Sequence, residues 1–374
     1  MNIPFGDIIK DGLTSFFKKE SNESVLGIDI GSSSIKVVQI KKKGGKAVLE
    51  TYGALSLGPY MQSDIGQVVN APVDVIASAL VDVIKEANVT TNYSAAAIPS
   101  LSSFMSVITL PSGVSKENFA EIIPNEARKY IPIPMSEVSL DWWPIPRQVE
   151  SYEESEVGVV QPEVKTEVLL VAIHNDTLSK YQDILNKVGL NTNFFELEIF
   201  SSIRSTFSHD LAPVLFIDFG ASKTKLSIVE YGIIRVFHIV NRGGADISKN
   251  ISQAMSISFK DAEKLKREIG LDKSANVDAA EIVSLSIEYM LSDANNVVLA
   301  YEKKYNKNIS KVILSGGGAL TKGLFNRAKE NFRAEVIYGD PFSKTEAPAF
   351  LTPVLEVSGP EFAAAVGIAL RQLS

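Results

Sequence analysis

The sequence predicts an α/β protein of two duplicated lobes, with a small α+β module inserted in the first. Three observations predict it. A strand–turn–strand motif occurs twice: residues 25–36 read VLGIDIGSSSIK and residues 214–225 read VLFIDFGASKTK, identical at seven of twelve aligned positions. The copies lie 189 residues apart in a chain of 374, the spacing of two related halves rather than of a short-period solenoid. Between them, from about Ala95 to Leu190, the pattern reads strand, strand, helix, strand, loop, strand, helix. These boundaries divide the chain into a leader (1–24), a first lobe (25–94 and 191–211), the inserted module (95–190) and a second lobe (212–374). The C-terminal helix is expected to return to the first lobe.

Each copy of the motif carries an aspartate at a strand end, Asp29 or Asp218, followed by a glycine and a small polar turn. The turns are Gly31, Ser32, Ser33 and Ser34 in one copy and Gly220, Ala221, Ser222 and Lys223 in the other. A turn without bulky side chains exposes backbone N–H groups that can fold round phosphate oxygens. An aspartate beside phosphate would repel it unless a cation lies between. The motif therefore assigns Mg²⁺ to Asp29 and Asp218, held through water as that ion prefers. Lys36 and Lys225, which follow the turns, are candidates for added positive charge. Lys36 is the stronger of the two.

Three further segments extend the site. Residues 311–324, KVILSGGGALTKGL, read as a buried strand followed by Gly316, Gly317, Gly318 and Ala319 before a helical pattern. Glycines at such a junction let a flat ligand approach the backbone. Residues 240–252, VNRGGADISKNIS, read as a strand end, then Gly243 and Gly244, then a helix opened by Asp246. Residues 261–270, DAEKLKREIG, read as a charged helix closed by glycine, with Glu263 and Lys266 on one face. Taken alone, that helix is an ordinary solvated surface.

Composition narrows the function classes. The net charge of −7 argues against a nucleic-acid partner. The absence of cysteine excludes disulfides, iron–sulfur clusters and thiol nucleophiles, and fits a reducing compartment. The three histidines, His174, His209 and His238, are too scattered for metal ligation. No uninterrupted apolar run reaches the roughly 20 residues of a membrane span. In residues 3–20, Ile3, Phe5, Ile8, Ile9, Leu13, Phe16 and Phe17 fall largely on one helical face, opposite Asp7, Lys10, Asp11, Thr14 and Lys18. Such a segment lies as a helix on a membrane, docks on a partner, packs on its own domain or is a disordered leader.

In this order the elements resemble the actin-like ATPase fold shared by actin, sugar kinases, heat-shock chaperones and bacterial actins. Residues 29–36 match its first phosphate loop, 218–225 its second, and 316–319 its adenosine loop. The helix with Glu263 and Lys266 is similar to the nucleoside-contacting helix of bacterial actins. Residues 125–142, NEARKYIPIPMSEVSLDW, resemble the signature of the PilM family, the cytoplasmic actin-like component of type IV pilus and type II secretion platforms. Sugar kinases lack the KYIPIP segment, and the division actin FtsA carries a different one. The resemblance implies ATP and Mg²⁺ as ligands. It also implies a cytoplasmic place at the inner membrane through partners, and as partner the N-terminal tail of a PilN-like membrane protein. In the family that tail lies in the groove between the module and the first lobe, as an extended peptide.

Within the module, residues 115–131 read as a helix with Ser115 as N-cap and a kink or break at Pro124. The IPIP segment then forces an extended chain. The glutamate-rich stretch 148–166 reads as a solvent-exposed loop. Tyr130, Ile131, Pro132 and Trp142 are the candidate partner contacts, with Trp143 beside them, since aromatic side chains anchor interfaces.

The expectation is an ATP-binding scaffold or switch that contacts other platform proteins and turns ATP over slowly if at all, for no residue declares itself as a general base. The alternatives are a filament-forming, membrane-tethered actin of the FtsA type, which would self-associate, and a small-molecule kinase of the same superfamily.

Overall fold

The computed structural model describes residues 24–111, 114, 116–146, 166–208, 210 and 212–373. The leader through residue 23, the N-cap assigned to Ser115, most of the glutamate-rich stretch and His209 lie outside the described residues.

Along the chain the first elements are β1 (Ser24–Ile30), β2 (Ser34–Lys43), β3 (Lys46–Ser56), α1 (Val73–Glu86) and β4 (Tyr93–Ile98). The module follows with β5 (Ser103–Thr109), α2 (Phe119–Ala127), β6 (Val138–Pro144) and β7 (Glu167–His174). Then come α3 (Asn175–Val188), β8 (Asn191–Leu197) and α4 (Glu198–Thr206). The second lobe begins with β9 (Val214–Phe219), β10 (Thr224–Glu230), β11 (Ile233–Val240), α5 (Gly244–Met255), α6 (Phe259–Ile269) and α7 (Val277–Tyr305). It continues through β12 (Lys311–Ser315), α8 (Leu324–Asn331) and β13 (Glu335–Tyr338), and the chain closes with α9 (Thr352–Ser358) and α10 (Ala363–Leu373).

The duplication seen in the motif extends to the sheets. One sheet has the order β3-β2-β1-β4-β8 and the other β11-β10-β9-β12-β13. In each, an antiparallel meander carries the motif hairpin, and two parallel strands follow it. Residues 25–30 of β1 and the whole of β10 are buried; β10 carries Thr224, Lys225, Ser227 and Glu230 inside as well as its apolar residues, so burial there rests on polar partners too. Helix α10 packs on β1, β2, β4 and α4, which brings the C-terminus to the first lobe. By composition, residues 349–373 are apolar enough to cross a membrane. Yet 61% of that apolar window is buried inside the structure, and the core role of α10 accounts for its lack of charge.

Residues 101–178 form a compact unit of their own, apart from the unit that holds both sheets. Its three-stranded sheet has the order β5-β7-β6, and its core gathers Ile108, Leu110, Phe119, Ile123, Val138, Val168 and Leu170. The insert is therefore shorter than the 95–190 read from the sequence. Residues 95–98 belong to β4, which pairs with β1 and β8 in the first-lobe sheet. Ala95 packs with Phe194 of β8 and Ile368 of α10, partners far along the chain that a local reading does not see. Helix α2 also runs on through Pro124 without a break. The carbonyl that Pro124 cannot pair, that of Ala120, belongs to an exposed residue, so water can take the bond.

One buried ion pair ties α4 to the first-lobe sheet. Glu196, fully buried, accepts from Arg204 Nη1 at 2.6 Å, Arg204 Nη2 at 2.5 Å and Ser201 Oγ at 2.7 Å. Replacing Glu196 by alanine leaves the guanidinium without its partner. The expected cost is ~3–5 kcal/mol of unfolding free energy, read from the midpoint of chemical denaturation; a shift worth under ~1 kcal/mol would show that water replaces the carboxylate.

Candidate functional site

The two motif hairpins share one internal geometry. Asp29 lies directly opposite Lys36 across β1 and β2, and Asp218 directly opposite Lys225 across β9 and β10. A spacing of seven residues round a short turn puts the acid and the base on neighbouring strands, which is why both copies keep both residues. Each turn is closed through its glycine: Gly31 N–H donates to Ser34 O at 2.9 Å, and Gly220 N–H to Lys223 O at 3.1 Å. Among the described residues, the N–H groups of Ser32, Ser33, Ala221 and Ser222 donate to no protein acceptor. These four amides have no acceptor in the protein, as the anion-binding role expected of the turns requires.

The two lysines differ. Lys36 is 3.9 Å from Asp29 and donates to Ser34 Oγ at 3.0 Å. Lys225 is buried and donates to Asp218 Oδ2 at 2.9 Å and to Glu198 Oε1 at 2.8 Å. Burial opposes the Lys225 charge, but Asp218 and Glu198 outweigh it and hold its pKa well above the usual value. Glu198 opens α4 in the first lobe, where Ser100 N–H also donates to it at 2.9 Å. Lys225 therefore joins the second-lobe hairpin to the first lobe. Sequence reading passed over Glu198, because a lone acid at the start of a helix is the commonest of first-turn residues. Tyr181 completes the surroundings; its hydroxyl donates to Ile30 O at 3.2 Å and is held protonated by burial and by the nearby Asp29 and Glu198 charges.

Asp29, Asp218 and Glu198 thus share one electrostatic environment with Lys36 and Lys225. Burial pushes Asp29 up to about 6; Glu198 and Asp218 add to the rise, and Lys36 and Lys225 oppose it. Three carboxylates against two ammonium groups leave an excess of negative charge. Among the described residues no three acids or histidines are arranged to hold a metal directly. The donor set suits a hydrated cation, as the sequence assigned to Asp29 and Asp218.

Gly243, Gly244, Glu263 and Lys266 form a brace behind the second turn. Gly244 N–H donates to Gly220 O at 3.0 Å and Ala245 N–H to Ala221 O at 2.9 Å, while Asp246 caps Gly243 N–H at 2.9 Å. The first amides of α5 are therefore spent on the turn itself. Gly243 and Gly244, expected as ligand contacts, thus spend their N–H groups within the protein. Glu263 accepts from Ser248 Oγ at 2.5 Å, Lys266 Nζ at 2.6 Å and Arg267 Nε at 2.6 Å, and Lys266 also donates to Gly244 O at 2.9 Å. Burial disfavours the Glu263 charge, but Lys266, Ser248 and Arg267 outweigh it and leave its pKa lowered. Helix α6 is thus pinned to α5 at this end rather than being the solvated surface that its composition suggests.

Loop 62–71 of the first lobe reaches this brace. Val69 N–H donates to Ser32 O at 3.0 Å, and a Cβ on Gly66 would lie 2.7 Å from Glu263 Cδ. With φ at +87°, Gly66 also occupies backbone space that side chains disfavour.

At the third glycine segment, Gly316 has φ +80°, and a Cβ there would meet Asp218 Oδ1 at 2.3 Å and Phe219 O at 2.7 Å. Gly316 is required by the packing of its own loop on β9. Gly318 is equally close to Phe219, and Ala319 is buried in the second-lobe core, so neither offers a side-chain position to a ligand. Gly317 is exposed, with nothing nearer to its Cβ position than Glu361 at 3.8 Å.

In the module, Tyr130 and Pro132 are exposed, whereas Ile131 is buried in the core and Trp142 packs against that core. The expected partner role is corrected for Ile131, which the module core encloses; Tyr130, Pro132 and the half-buried Trp142 keep accessible surface. Trp143 is half-buried. His174 is exposed, and His238 pairs with Asp293 at 3.1 Å, so neither takes part in the site.

Residues 27–373 match the family described as type IV pilus assembly protein PilM. The chain belongs to the PilM family. Its structure is similar to that of a PilM–PilN type IV pilus biogenesis complex, with a TM-score of 0.77 over 95% of this chain and 99% of that one, at 21% identity. It is similar also to MreB5 of Spiroplasma citri bound to AMPPNP, with a TM-score of 0.51 at 13% identity over 92% of this chain and 95% of that one. These likenesses establish the actin-like fold expected from the repeated motif. Among curated proteins the chain is 25% identical to cell division protein FtsA of Enterococcus faecalis over 83% of its length and 77% of the relative's. FtsA of Neisseria meningitidis is 22% identical over 76% and 73%. The PilM family assignment places the chain in pilus assembly.

The Asp29 environment makes stability depend on pH in a defined direction. A carboxyl whose pKa is raised on folding keeps its proton longer in the folded state. It favours folding most below its ordinary value of 3.8, and that contribution is lost as pH rises through about 6. In metal-free buffer, Asp29→Asn should flatten the fall in unfolding free energy across that window. An unchanged slope would mean that Asp29 is not the buried acid responsible.

Proposed function

We propose that this PilM-family chain is a cytoplasmic, ATP-binding scaffold or switch of a pilus inner-membrane platform, and that it receives the N-terminal tail of a PilN-like protein on its inserted module. The observation that carries the nucleotide half is the convergence of two hairpins from two lobes. Their unpaired turn amides suit phosphate oxygens, and Asp29 and Asp218 suit a hydrated Mg²⁺ that would neutralise phosphate charge. In this reading Lys36 is the cation nearest the first turn. Lys225 serves as the joint between lobes, and the brace of Gly243, Gly244, Glu263 and Lys266 keeps the second turn in shape. Gly317 is the position at the third segment with room for the base. Glu198 is the acid best placed to influence an attacking water, but Lys225 and Ser100 N–H already occupy its oxygen, which fits slow turnover.

Two measurements test this half. By calorimetry, Asp29→Ala should weaken Mg-ATP binding more than metal-free ADP binding; equal losses would remove the cation role. Gly317→Ala, for which the fold has room, should weaken ATP binding about tenfold or more through a clash with the base, each tenfold being 1.4 kcal/mol. Unchanged affinity would exclude Gly317 from the base site.

The partner half is supported by the solved complex of a PilM with a PilN and by the exposed Tyr130 and Pro132. Tyr130→Ala with Pro132→Ala should abolish capture of a synthetic PilN-type N-terminal peptide and leave ATP affinity unchanged. Loss of both activities would make that segment a structural element. The FtsA relatives favour a second reading, a filament-forming actin; filaments seen by electron microscopy with ATP, in the absence of peptide capture, would replace the scaffold reading with it.

A further inference from the structure

We propose that the amphipathic leader, residues 3–17, docks on an apolar stripe of its own chain formed by Phe350, Val354 and Val357. The stripe follows from how α9 is seated. Leu351 and Leu355 turn inward, onto the cluster of Val38, Ile40, Leu49 and Phe342. Phe350, Val354 and Val357, spaced i, i+4 and i+7 along the turn before α9 and α9 itself, face outward on one side. Phe350 is 79% exposed, the most of any large apolar side chain among the described residues; Val354 and Val357 are 51% and 68% exposed. Ala349 and Pro353 are exposed beside them, and Glu356 is the one charge in the stretch 347–358. A contiguous apolar face of this kind marks an interaction site.

The position of Ser24 identifies the occupant. Ser24 pairs with Lys41, Lys41 with Val48, and Val48 with Glu346, so the four residues form one row across the sheet. Three strand spacings separate the first from the last, about 14 Å. Glu346 leads within four residues to Phe350. The leader thus enters the fold one short row away from the stripe. A helix over residues 3–17 is about 21 Å long, and residues 18–23 can span up to about 20 Å, enough to lay it along α9. Phe5, Ile9, Leu13 and Phe16 then form the matching apolar face.

Charge and tethering favour the chain itself over other occupants. Residues 1–20 carry three lysines against two aspartates and one glutamate, without the cationic excess that draws amphipathic helices to anionic lipid. A tethered segment faces its site at an effective concentration of order millimolar, ~1000-fold above a second copy at micromolar protein.

The chain has no cysteine, so introduced thiols are the sole thiols present. The test is the full-length protein with Phe16→Cys and Val354→Cys, treated at micromolar concentration with a short bismaleimide. Thr14→Cys with Val354→Cys serves as the polar-face control. A crosslink within one chain is expected, identified by mass spectrometry, with a yield clearly above the control, because both thiols share the tether and only position 16 lies on the apolar face. Crosslinking only between chains would assign the stripe to a second copy and overturn the proposal. So would equal yields in the two variants, or no crosslink at all. In the last case, flotation with anionic phospholipid vesicles that is lost on deleting residues 1–20 would place the leader on a membrane. Val354 is exposed, and positions 14 and 16 precede the described residues, so the substitutions remove no described core contact.

Discussion

A buried lysine held between two lobes is the constraint on which the site depends. Lys225 belongs to the second hairpin by sequence, and one of its carboxylate partners, Glu198, belongs to the first lobe. Without the ammonium group, Asp218, Glu198 and Asp29 would face one another at low dielectric, where repulsion between like charges is strong. Lys36 cannot substitute for it, because it is attached to the first hairpin and pairs only loosely with Asp29. The contact between lobes is thus a joint of charges. Such a joint responds to charge brought near it, whereas an apolar contact does not.

The second turn owes its shape to a chain of short-range requirements. Amides of α5 donate to the turn carbonyls, Lys266 donates to a carbonyl of the first α5 residue, and Glu263 fixes Lys266. Loop 62–71 then presses on Glu263 from the first lobe while donating to Ser32 of the first turn. Both turns are in this way linked through one carboxylate that local sequence marks as an ordinary helix-surface residue. The inserted module shows the same division at a smaller scale. In the IPIP stretch, Ile131 goes to the core and Tyr130 and Pro132 remain outside, so the segment both holds the module and offers a face.

Much was legible without coordinates. The repeated Asp-x-Gly turn pointed to the two lobes, because a common turn that recurs with its flanking strands at half-chain spacing marks a duplication. The strand opening residues 311–324 and the helix read over 261–270 followed from apolar runs, spacing and a closing glycine, and the structure has them as β12 and α6. Glu198 was not legible, nor was the role of Gly66, since each acts on a residue far away in the chain. The insert boundary at β4 was misplaced for a related reason: a run of small residues reads as a strand but does not say which sheet it joins.

By itself, then, the sequence determined local order: where the turns lie, which acids and bases face each other across a hairpin, and that the pattern is doubled. These depend on residues a few positions apart, and backbone geometry relates such residues directly. The tertiary structure alone decided which charges from the two lobes meet, which amides remain unpaired, and which apolar side chains of the module and of α9 are left outside. Those outcomes depend on how separate elements pack together, and neither the spacing nor the composition of a single stretch contains that information.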